Sequence, residues 1–193
     1  IPGLAPRFAA RAERIGAEVL DRGGVRARHY ALDPVTRAQT ETNVSMMEKA
    51  VRAALSAADV EPGSIDLLIT SGPMSDYACP STSALLQGRL GVESLTEIEI
   101  HSNCTGAPKG VQIALDMLRV GRYRRAAVVY SQLSSAFLRA EFFNPAKVGL
   151  EHLALRWMMS DGAGAIVLDG GDGPAAGPHL LDAYVESTGG LRE

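Results

Sequence analysis

The apolar run from Ile65 to Thr70 constrains the fold of this chain more than any other stretch. It has the length of a β-strand, and a strand without polar alternation is typical of a parallel sheet that is covered on both faces. A second run of this kind spans Arg125 to Ser131. Parallel neighbours need crossover connections, and helical patterns lie between the strand patterns. The sequence therefore predicts an α/β architecture with a mostly parallel sheet.

Hydrophobic periodicity predicts the remaining elements. Helices are predicted over 8–21, 44–58, 81–90 and 107–120, with glycines after three of them. Strands are predicted over 97–100 and 180–185, a small-residue turn leading into a strand over 160–168, and a strand or extended segment over 25–30. Residues 33–43, 71–80 and 169–177 are predicted as loops, and 132–157 as irregular or partly helical. The apolar sides expected for the second and fourth helices are Met46, Ala50, Ala53, Ala54 and Ala57, and Val111, Ala114, Met117 and Leu118.

Composition limits the class of protein. The 193 residues, 46% of them hydrophobic, suffice for one domain with a substantial core. A net charge of −3 without blocks of like charge predicts no nucleic-acid partner. No apolar run approaches the roughly 18 residues that cross a bilayer, so no membrane partner is predicted. Two cysteines form no disulfide framework, although a Cys79–Cys104 bridge stays open, and a cytoplasmic location is expected.

Cys104 lies between a predicted strand and a predicted helix. Ile98 and Ile100 alternate with glutamates before it, and the helical pattern starts at Ala107 after it. At a helix N-terminus, unpaired backbone N–H groups and the helix dipole favour the thiolate, which is the nucleophilic form of cysteine. The alternative is a small buried core residue, as many free cysteines are. The position makes Cys104 a candidate nucleophile.

Spacing indicates neither a metal site nor a catalytic base. The four histidines are scattered singly, and neither Cys-x-x-Cys nor His-Glu-x-x-His occurs, so no metal is predicted. His101 is three residues before Cys104, on the strand side of the turn. A nucleophile and its base are usually brought together by the fold rather than by chain proximity. The residues alone therefore provide a candidate nucleophile without a convincing base.

Five segments together resemble the β-ketoacyl-ACP synthase III branch of the thiolase superfamily. They follow the family's order over nearly the whole chain and span residues 24–30, 80–82, 100–107, 121–129 and 160–168. The first resembles the family's early Gly-Ile-Arg-x-Arg segment, and the second its Pro-Ser-x segment before a helix. The last three resemble the cysteine turn, a Gly-led strand and an Asp-Gly-Ala-Gly-Ala turn. The strand, turn and helix around Cys104 are the context that this cysteine motif requires.

The resemblance implies the N-terminal half of the αβαβα layered fold, with a mostly parallel five-stranded sheet and helices on both faces. It implies that Cys104 takes an acyl group from a thioester and that malonyl-ACP then attacks by decarboxylative Claisen condensation, in fatty acid or polyketide biosynthesis. Acyl-CoA or acyl-ACP is then a substrate, and no cofactor is expected. The implied partners are acyl carrier protein or coenzyme A thioesters, in a homo- or heterodimer.

The resemblance also implies roles for other residues. The small residues Thr105 and Gly106 leave room for an acyl chain and a pantetheine arm. Arg22 resembles the family's contact to the nucleotide end of coenzyme A. Cys79 falls where the family places a side chain that reaches across the dimer interface toward the partner's acyl pocket; the alternative is a buried contact. Glu18 stands near a position where many members carry a tryptophan that stacks on adenine, which leaves ACP open as the carrier.

The family's active-site His and Asn lie in a second, homologous half, which these 193 residues do not contain. Residues 1–193 are therefore expected to be the N-terminal domain, with the family's first strand missing as well. Three explanations stay open: a piece of a full enzyme, a split enzyme completed by a second chain, or a non-catalytic partner subunit. The alternative reaction is acyl transfer to a hydroxyl or amine without condensation.

Overall fold

A computed structural model describes residues 1–171, 177–187 and 189. The chain divides into two compact units. The first unit consists of Ile1–Glu41 and Gln132–Gly162, and the second of Thr42–Ser131 and Ala163–Glu193. Cys104 and nearly all of the sheet belong to the second unit. The second unit therefore positions the candidate nucleophile.

The sheet has four strands among the described residues, in the order β2-β1-β3-β4. They are β1 (Leu67–Gly72), β2 (Thr96–His101), β3 (Arg125–Gln132) and β4 (Gly162–Asp169). Strand β1 is buried along its whole length and pairs in parallel with β2 and β3, as the apolar run predicts. Ser71 of β1 lies opposite both Ile100 and Tyr130. The carboxyl ends of the three strands consequently meet at one edge.

Helices cover both faces of this sheet. The helices of the described residues are α1 (Pro6–Arg22), α2 (Asn43–Ala57), α3 (Thr82–Leu90), α4 (Gly106–Arg119) and α5 (Leu150–Met158). Leu68 and Val129 pack with α2 and α3 in one core cluster. Ile69 and Val128 point the other way and pack with α4 in a second cluster. The α/β class and the two helical layers of the prediction are thus confirmed.

Capping residues define the helix boundaries of the second unit. Thr42 accepts a hydrogen bond from the Ser45 amide at 3.1 Å, and Ser45 Oγ accepts one from the Thr42 amide at 2.8 Å, so α2 begins with a capping box. Ser81 caps α3 by accepting from the Ala84 amide at 3.2 Å. Gly91 follows α3 with φ of 74°, a left-handed conformation that favours glycine. This confirms the predicted end of α3.

The strand predictions need two corrections. The described sheet has four strands rather than five, and the predicted strand over 180–185 does not form. Leu181 and Tyr184 are 81% and 75% exposed, because this segment pairs with no described strand edge that would bury its apolar residues. Residues 25–30 form no strand either, which leaves the extended alternative. The predicted connector over 169–177 lies partly outside the described residues.

The predicted apolar side of α2 needs a correction as well. Ala53 and Ala57 of that side are exposed, and Met46, Ala50 and Ala54 are only partly buried. The buried apolar residues of the helix are Val44, Met47, Val51 and Leu55. Both stripes have helical spacing, but the branched and longer side chains remove more apolar surface from water. In α4 the prediction is closer, because Ala114 and Leu118 are buried and Val111 and Met117 pack beside them.

The first unit is organised around α1, α5 and one carboxylate. Trp157 of α5 packs where a Cβ on Gly16 of α1 would lie 2.6 Å from its indole ring. Asp161 accepts hydrogen bonds from the amides of Ala31 at 2.6 Å and Ser135 at 2.8 Å. The aspartate of the Asp-Gly-Ala-Gly-Ala turn therefore ties two loops together.

Candidate active site

Cys104 lies in a turn after β2, two residues before α4 begins. Its side chain is exposed, so the alternative of a buried core cysteine is wrong for this chain. The turn lies at the edge where the carboxyl ends of β1, β2 and β3 meet, which is the usual place for ligands in parallel α/β sheets. The strand, turn and helix context of the motif is therefore present.

A close approach between α4 and β1 explains the glycine after this turn. A Cβ on Gly106 would lie 2.9 Å from Ser71 Cβ, which is closer than side chains tolerate. The Gly106 amide donates to the Asn103 carbonyl at 2.8 Å and closes the turn around Cys104. Gly106 thus lets the start of α4 reach the strand end, and Cys104 is presented beside it.

Polar side chains surround the cysteine. Ser102 Oγ lies 2.9 Å from Thr105 Oγ1, and Lys109 Nζ donates to Ser102 Oγ at 3.1 Å. Thr105 is the N-cap residue of α4 but makes no capping bond within the described residues, because its hydroxyl contacts Ser102 instead. The turn therefore carries two hydroxyls and one ammonium group beside a helix N-terminus. Sequence reasoning missed Lys109, whose position one helical turn beyond Thr105 was the available signal.

Tyr130 is a second neighbour that sequence reasoning missed. It stands near the carboxyl end of β3, next to β1. Burial raises the pKa of the Tyr130 phenol above its usual value, and the nearby Cys104 adds to the rise. The phenol is therefore neutral at pH 7. The signal in the sequence was a tyrosine at the end of a buried strand, where the ends of parallel strands converge.

Two glutamates of β2 secure the loop before α3. Glu99 accepts hydrogen bonds from Ser75 Oγ at 2.6 Å and from the amide and hydroxyl of Thr82 at 2.9 and 2.6 Å. Burial raises the pKa of Glu99, but these hydrogen bonds and the attraction of His101 outweigh it, so the pKa lies below its usual value. Glu97 accepts from Ser81 at 3.2 Å and also from Ser83. The ionised Glu99 carboxylate therefore helps to hold the loop before α3 against β2.

Cys79 lies in this loop and is exposed, so its alternative as a buried contact is wrong for the chain alone. The loop is also tied to α2, because Asp76 accepts from the amides of Asn43 and Val44, both at 2.9 Å. Ser131 of β3 donates to Asn43 Oδ1 at 2.8 Å and extends this network to the sheet. Cys79 is therefore displayed by a loop with anchors on either side of it.

A cavity of about 600 Å³ borders the cysteine turn within the second unit. Its size falls in the range of small-molecule sites. Thr105 and Lys109 form the wall nearest to Cys104, and Ile100 and Ile113 provide apolar surface. Asp116 and Glu186 add carboxylates farther along the wall. The cavity can hold a chain that is partly apolar and carries amide groups.

Arg22 is not brought to the cysteine turn by any described contact. It is the last residue of α1, in the first unit, and its guanidinium lies 2.6 Å from the Glu18 carboxylate. Both side chains are largely exposed, at 79% and 56%, so this ion pair is worth little and is open to exchange. The predicted site residues thus comprise Cys104, Thr105 and Gly106 in one turn, with Cys79 and Arg22 elsewhere.

The described residues show neither a metal site nor a membrane-spanning helix. No group of three or more His, Cys, Asp or Glu side chains there is arranged to hold a metal ion. None of the helices in that part of the chain is long and apolar enough to cross a membrane. His101 is the last residue of β2, and Cys104 follows it by three residues.

Comparison with known proteins gives consistent results. Residues 98–189 match the family model for 3-oxoacyl-[acyl-carrier-protein (ACP)] synthase III. The β-ketoacyl-[acyl-carrier-protein] synthase III of Methylococcus capsulatus is 32% identical over 182 residues, which cover 94% of this chain and 50% of that protein. The chain thus spans about half the length of the curated relatives it matches.

Solved structures share the fold. AbyA1, a tetronic acid condensing enzyme, is similar with a TM-score of 0.71 and 24% identity, over 90% of this chain and 52% of that one. The priming β-ketosynthase of the R1128 polyketide biosynthetic pathway is similar with a TM-score of 0.60 and 28% identity, over 73% of this chain and 39% of that one. The chain is therefore related to the 3-oxoacyl-[acyl-carrier-protein] synthase III family over nearly its whole length, which confirms the resemblance seen in its motifs.

Proposed function

We propose that this chain supplies the nucleophile of a β-ketoacyl-ACP synthase III-like enzyme, with Cys104 as the covalent acyl carrier. The observation that carries the proposal is an exposed thiol in a turn at the start of α4, at the carboxyl ends of parallel strands. The relationship to 3-oxoacyl-ACP synthases III supports condensation chemistry. In the first step the Cys104 sulfur bonds to the acyl carbon, the thioester C–S bond breaks, and the departing thiol takes up a proton.

The turn offers what this step needs. The positive end of the α4 dipole and the Lys109 ammonium stabilise negative charge that develops near the cysteine. Thr105 and Gly106 bind the substrate in the proposal: Thr105 lines the 600 Å³ cavity, and Gly106 keeps the helix start free of a side chain. The neutral phenol of Tyr130 adds no negative charge beside the thiolate. The acyl chain and pantetheine arm then lie along the cavity.

We propose condensation as the second step. Decarboxylation of malonyl-ACP breaks its C–CO₂ bond and leaves a carbanion, which bonds to the acyl carbon and releases the Cys104 sulfur. The groups that serve this step belong, in the proposal, to the half of the relatives that the chain does not match. Chain 1–193 is then the N-terminal domain of a dimeric synthase in fatty acid or polyketide biosynthesis. The proposal assigns no step to a metal or an organic cofactor.

We propose acyl-ACP or acyl-CoA as the donor. The exposed ion pair between Glu18 and Arg22 is worth little, so it favours neither carrier. Two alternatives share the fold: an acyltransferase that passes the acyl group to a hydroxyl or amine, and a non-catalytic partner subunit. Cys79 is proposed as an edge residue of a partner's pocket, since its loop is anchored and its thiol is exposed.

The proposal is tested by following carbon dioxide. The chain, in an assembly shown to contain the remaining half of the enzyme, is incubated with acyl-CoA or acyl-ACP and then with malonyl-ACP. We expect carbon dioxide release that matches the β-ketoacyl product and depends on Cys104, with a Cys104→Ala assembly as the control. An acyl-enzyme that forms without condensation would point to simple transfer. The absence of both acyl-enzyme and product with every donor would overturn the enzyme proposal in favour of a non-catalytic subunit.

A further inference from the structure

The first unit contains a cavity that the proposed reaction does not use. Its volume is about 310 Å³, and three arginines, Arg37, Arg139 and Arg156, line it. One carboxylate, that of Glu141, lines it as well, so the wall has a formal net charge of +2. Arg22, the arginine implied to contact coenzyme A, is not among the lining residues. The positive charge at this cavity therefore comes from arginines other than Arg22.

Two of the arginines are held by contacts that leave donors unused. Arg139 donates from Nη2 to the Arg37 carbonyl at 3.0 Å and pairs through Nε with Glu141 at 2.8 Å. Arg156 donates to the Leu138 carbonyl, and its guanidinium lies 5.5 Å from the centre of the Phe143 ring. A guanidinium has five N–H donors, so each group is fixed in place and still has donors for a ligand.

The third arginine, Arg37, lies in a turn that hydrogen bonds to Asp33 stabilise. Arg37 has φ of 59°, a conformation that residues other than glycine, asparagine and aspartate rarely adopt. Its amide donates to the Asp33 carbonyl at 3.0 Å, and the Asp33 carboxylate accepts from the Thr36 amide at 2.7 Å. Within the described residues the Arg37 guanidinium has no hydrogen-bond or ion-pair partner. A strained residue with an unpaired charge at a cavity is a pattern found at binding sites.

We propose that this cavity binds the phosphate group of a small phosphate ester. The net charge of +2 matches a phosphate dianion, and arginine forks fit phosphate oxygens with paired hydrogen bonds. Leu32 and Leu138 provide an apolar wall for the organic part, and the volume is at the lower end of small-molecule sites. The ligand is then a phosphate monoester, either one with a pantetheine arm or an unrelated phosphorylated metabolite, because a monoester carries up to two negative charges at pH 7 and a diester only one.

Calorimetric titration of the whole protein distinguishes these sources. The probes are pantetheine 4′-phosphate, glycerol 3-phosphate and inorganic phosphate, with pantetheine as the uncharged comparison. We expect the phosphates to bind and pantetheine not to bind. Tighter binding of pantetheine 4′-phosphate than of the other two would assign a ligand with a pantetheine arm, and equal binding would assign phosphorylated metabolites generally. Failure of all three phosphates to bind at millimolar concentration, or binding of pantetheine as tight as that of its phosphate, would overturn the proposal.

Arg37→Gly separates binding from folding. Glycine relieves the positive φ, so the thermal midpoint should stay the same or rise, while the dissociation constant for the phosphates should increase about tenfold or more. Asp59→Gly is the matched control, because Asp59 also has a positive φ, of 53°, belongs to the second unit and does not line this cavity. It should leave the dissociation constant unchanged. An unchanged dissociation constant in Arg37→Gly, or an equal weakening in Asp59→Gly, would contradict the site.

Discussion

Glu99 connects the strand that leads to Cys104 with the loop that carries Cys79. Its carboxylate accepts hydrogen bonds from Ser75 and Thr82, and they keep its pKa below the usual value against the opposing effect of burial. A carboxyl group with a lower pKa in the folded state than in the unfolded state stabilises the fold above the unfolded pKa, about 4.3. That stabilisation is lost as the pH falls through the folded pKa.

The Glu99→Gln variant tests this contribution. We expect its free energy of unfolding at pH 7 to be lower by about 1–3 kcal/mol, since charged hydrogen bonds in a partly buried site are replaced by neutral ones. Its stability should also fall less than that of the wild type below pH of about 4.3. Urea unfolding across this pH range measures both effects. The exposed Glu93→Gln is the control, and parallel pH curves for wild type and Glu99→Gln would refute the assignment.

For single residues, the sequence predicted that Cys104 lies in a turn between a strand and a helix. It did not predict which side chains lie near the cysteine in the folded chain. The strand and helix patterns are local, so the turn between them could be placed from spacing. Tyr130 reaches the cysteine only because β3 lies beside β1, and Lys109 contacts Ser102 only because the turn folds back. Such contacts depend on tertiary structure, and a single sequence does not contain that information directly.

The packing of α4 on the sheet decides where the cysteine turn sits. A Cβ on Gly110 of α4 would lie 2.8 Å from Val128 Cγ1 and 3.2 Å from Ile69 Cγ2. Both neighbours are buried, β-branched side chains in the sheet and have little freedom to move. The glycine therefore sets the distance between α4 and the strands.

A pair of glycine-to-alanine variants tests this packing. Gly110→Ala should lower the free energy of unfolding by about 1–3 kcal/mol, because overpacking outweighs the helix propensity of alanine. Gly88→Ala in α3 is the matched variant, since a Cβ there meets nothing within 4 Å, and it should raise stability by up to about 1 kcal/mol. Denaturant midpoints measure both changes. Equal shifts in the two variants would contradict the close packing of α4.

Helices and strands with a clear hydrophobic pattern were predicted correctly. A strand that forms only when a neighbouring strand pairs with it could not be predicted from its own pattern. Four of the five described helices match predicted helices, whereas α5 lies in a region that was predicted as irregular or partly helical. The buried strands were recognised from continuous apolar runs. Residues 180–185 have a strand pattern but pair with no described strand. In α2 two stripes have helical spacing, and the one with Met47 and Leu55 is buried because its side chains remove more apolar surface from water. Periodicity identifies a helix but does not choose between two apolar faces.

For the whole molecule, the proposal divides the chemistry between this chain and the half of its relatives that the chain does not match. The chain provides the cysteine turn, a cavity beside it and an anchored Cys79 loop, all in the second unit. It matches about half the length of its curated relatives, so the groups for decarboxylation are assigned to the other half. This division predicts that acylation and condensation are separable. In the proposal, the cysteine chemistry belongs to this chain and the second step needs the complete enzyme.

The position of the acyl group tests the central claim most directly. The complete assembly is incubated with acyl-ACP and acyl-CoA donors and digested, and its two cysteine peptides are analysed by mass spectrometry. We predict an acyl adduct on Cys104 in the wild type and in Cys79→Ser, and no adduct in Cys104→Ser. An acyl group on Cys79 instead, or no adduct on Cys104 with any donor, would contradict the account.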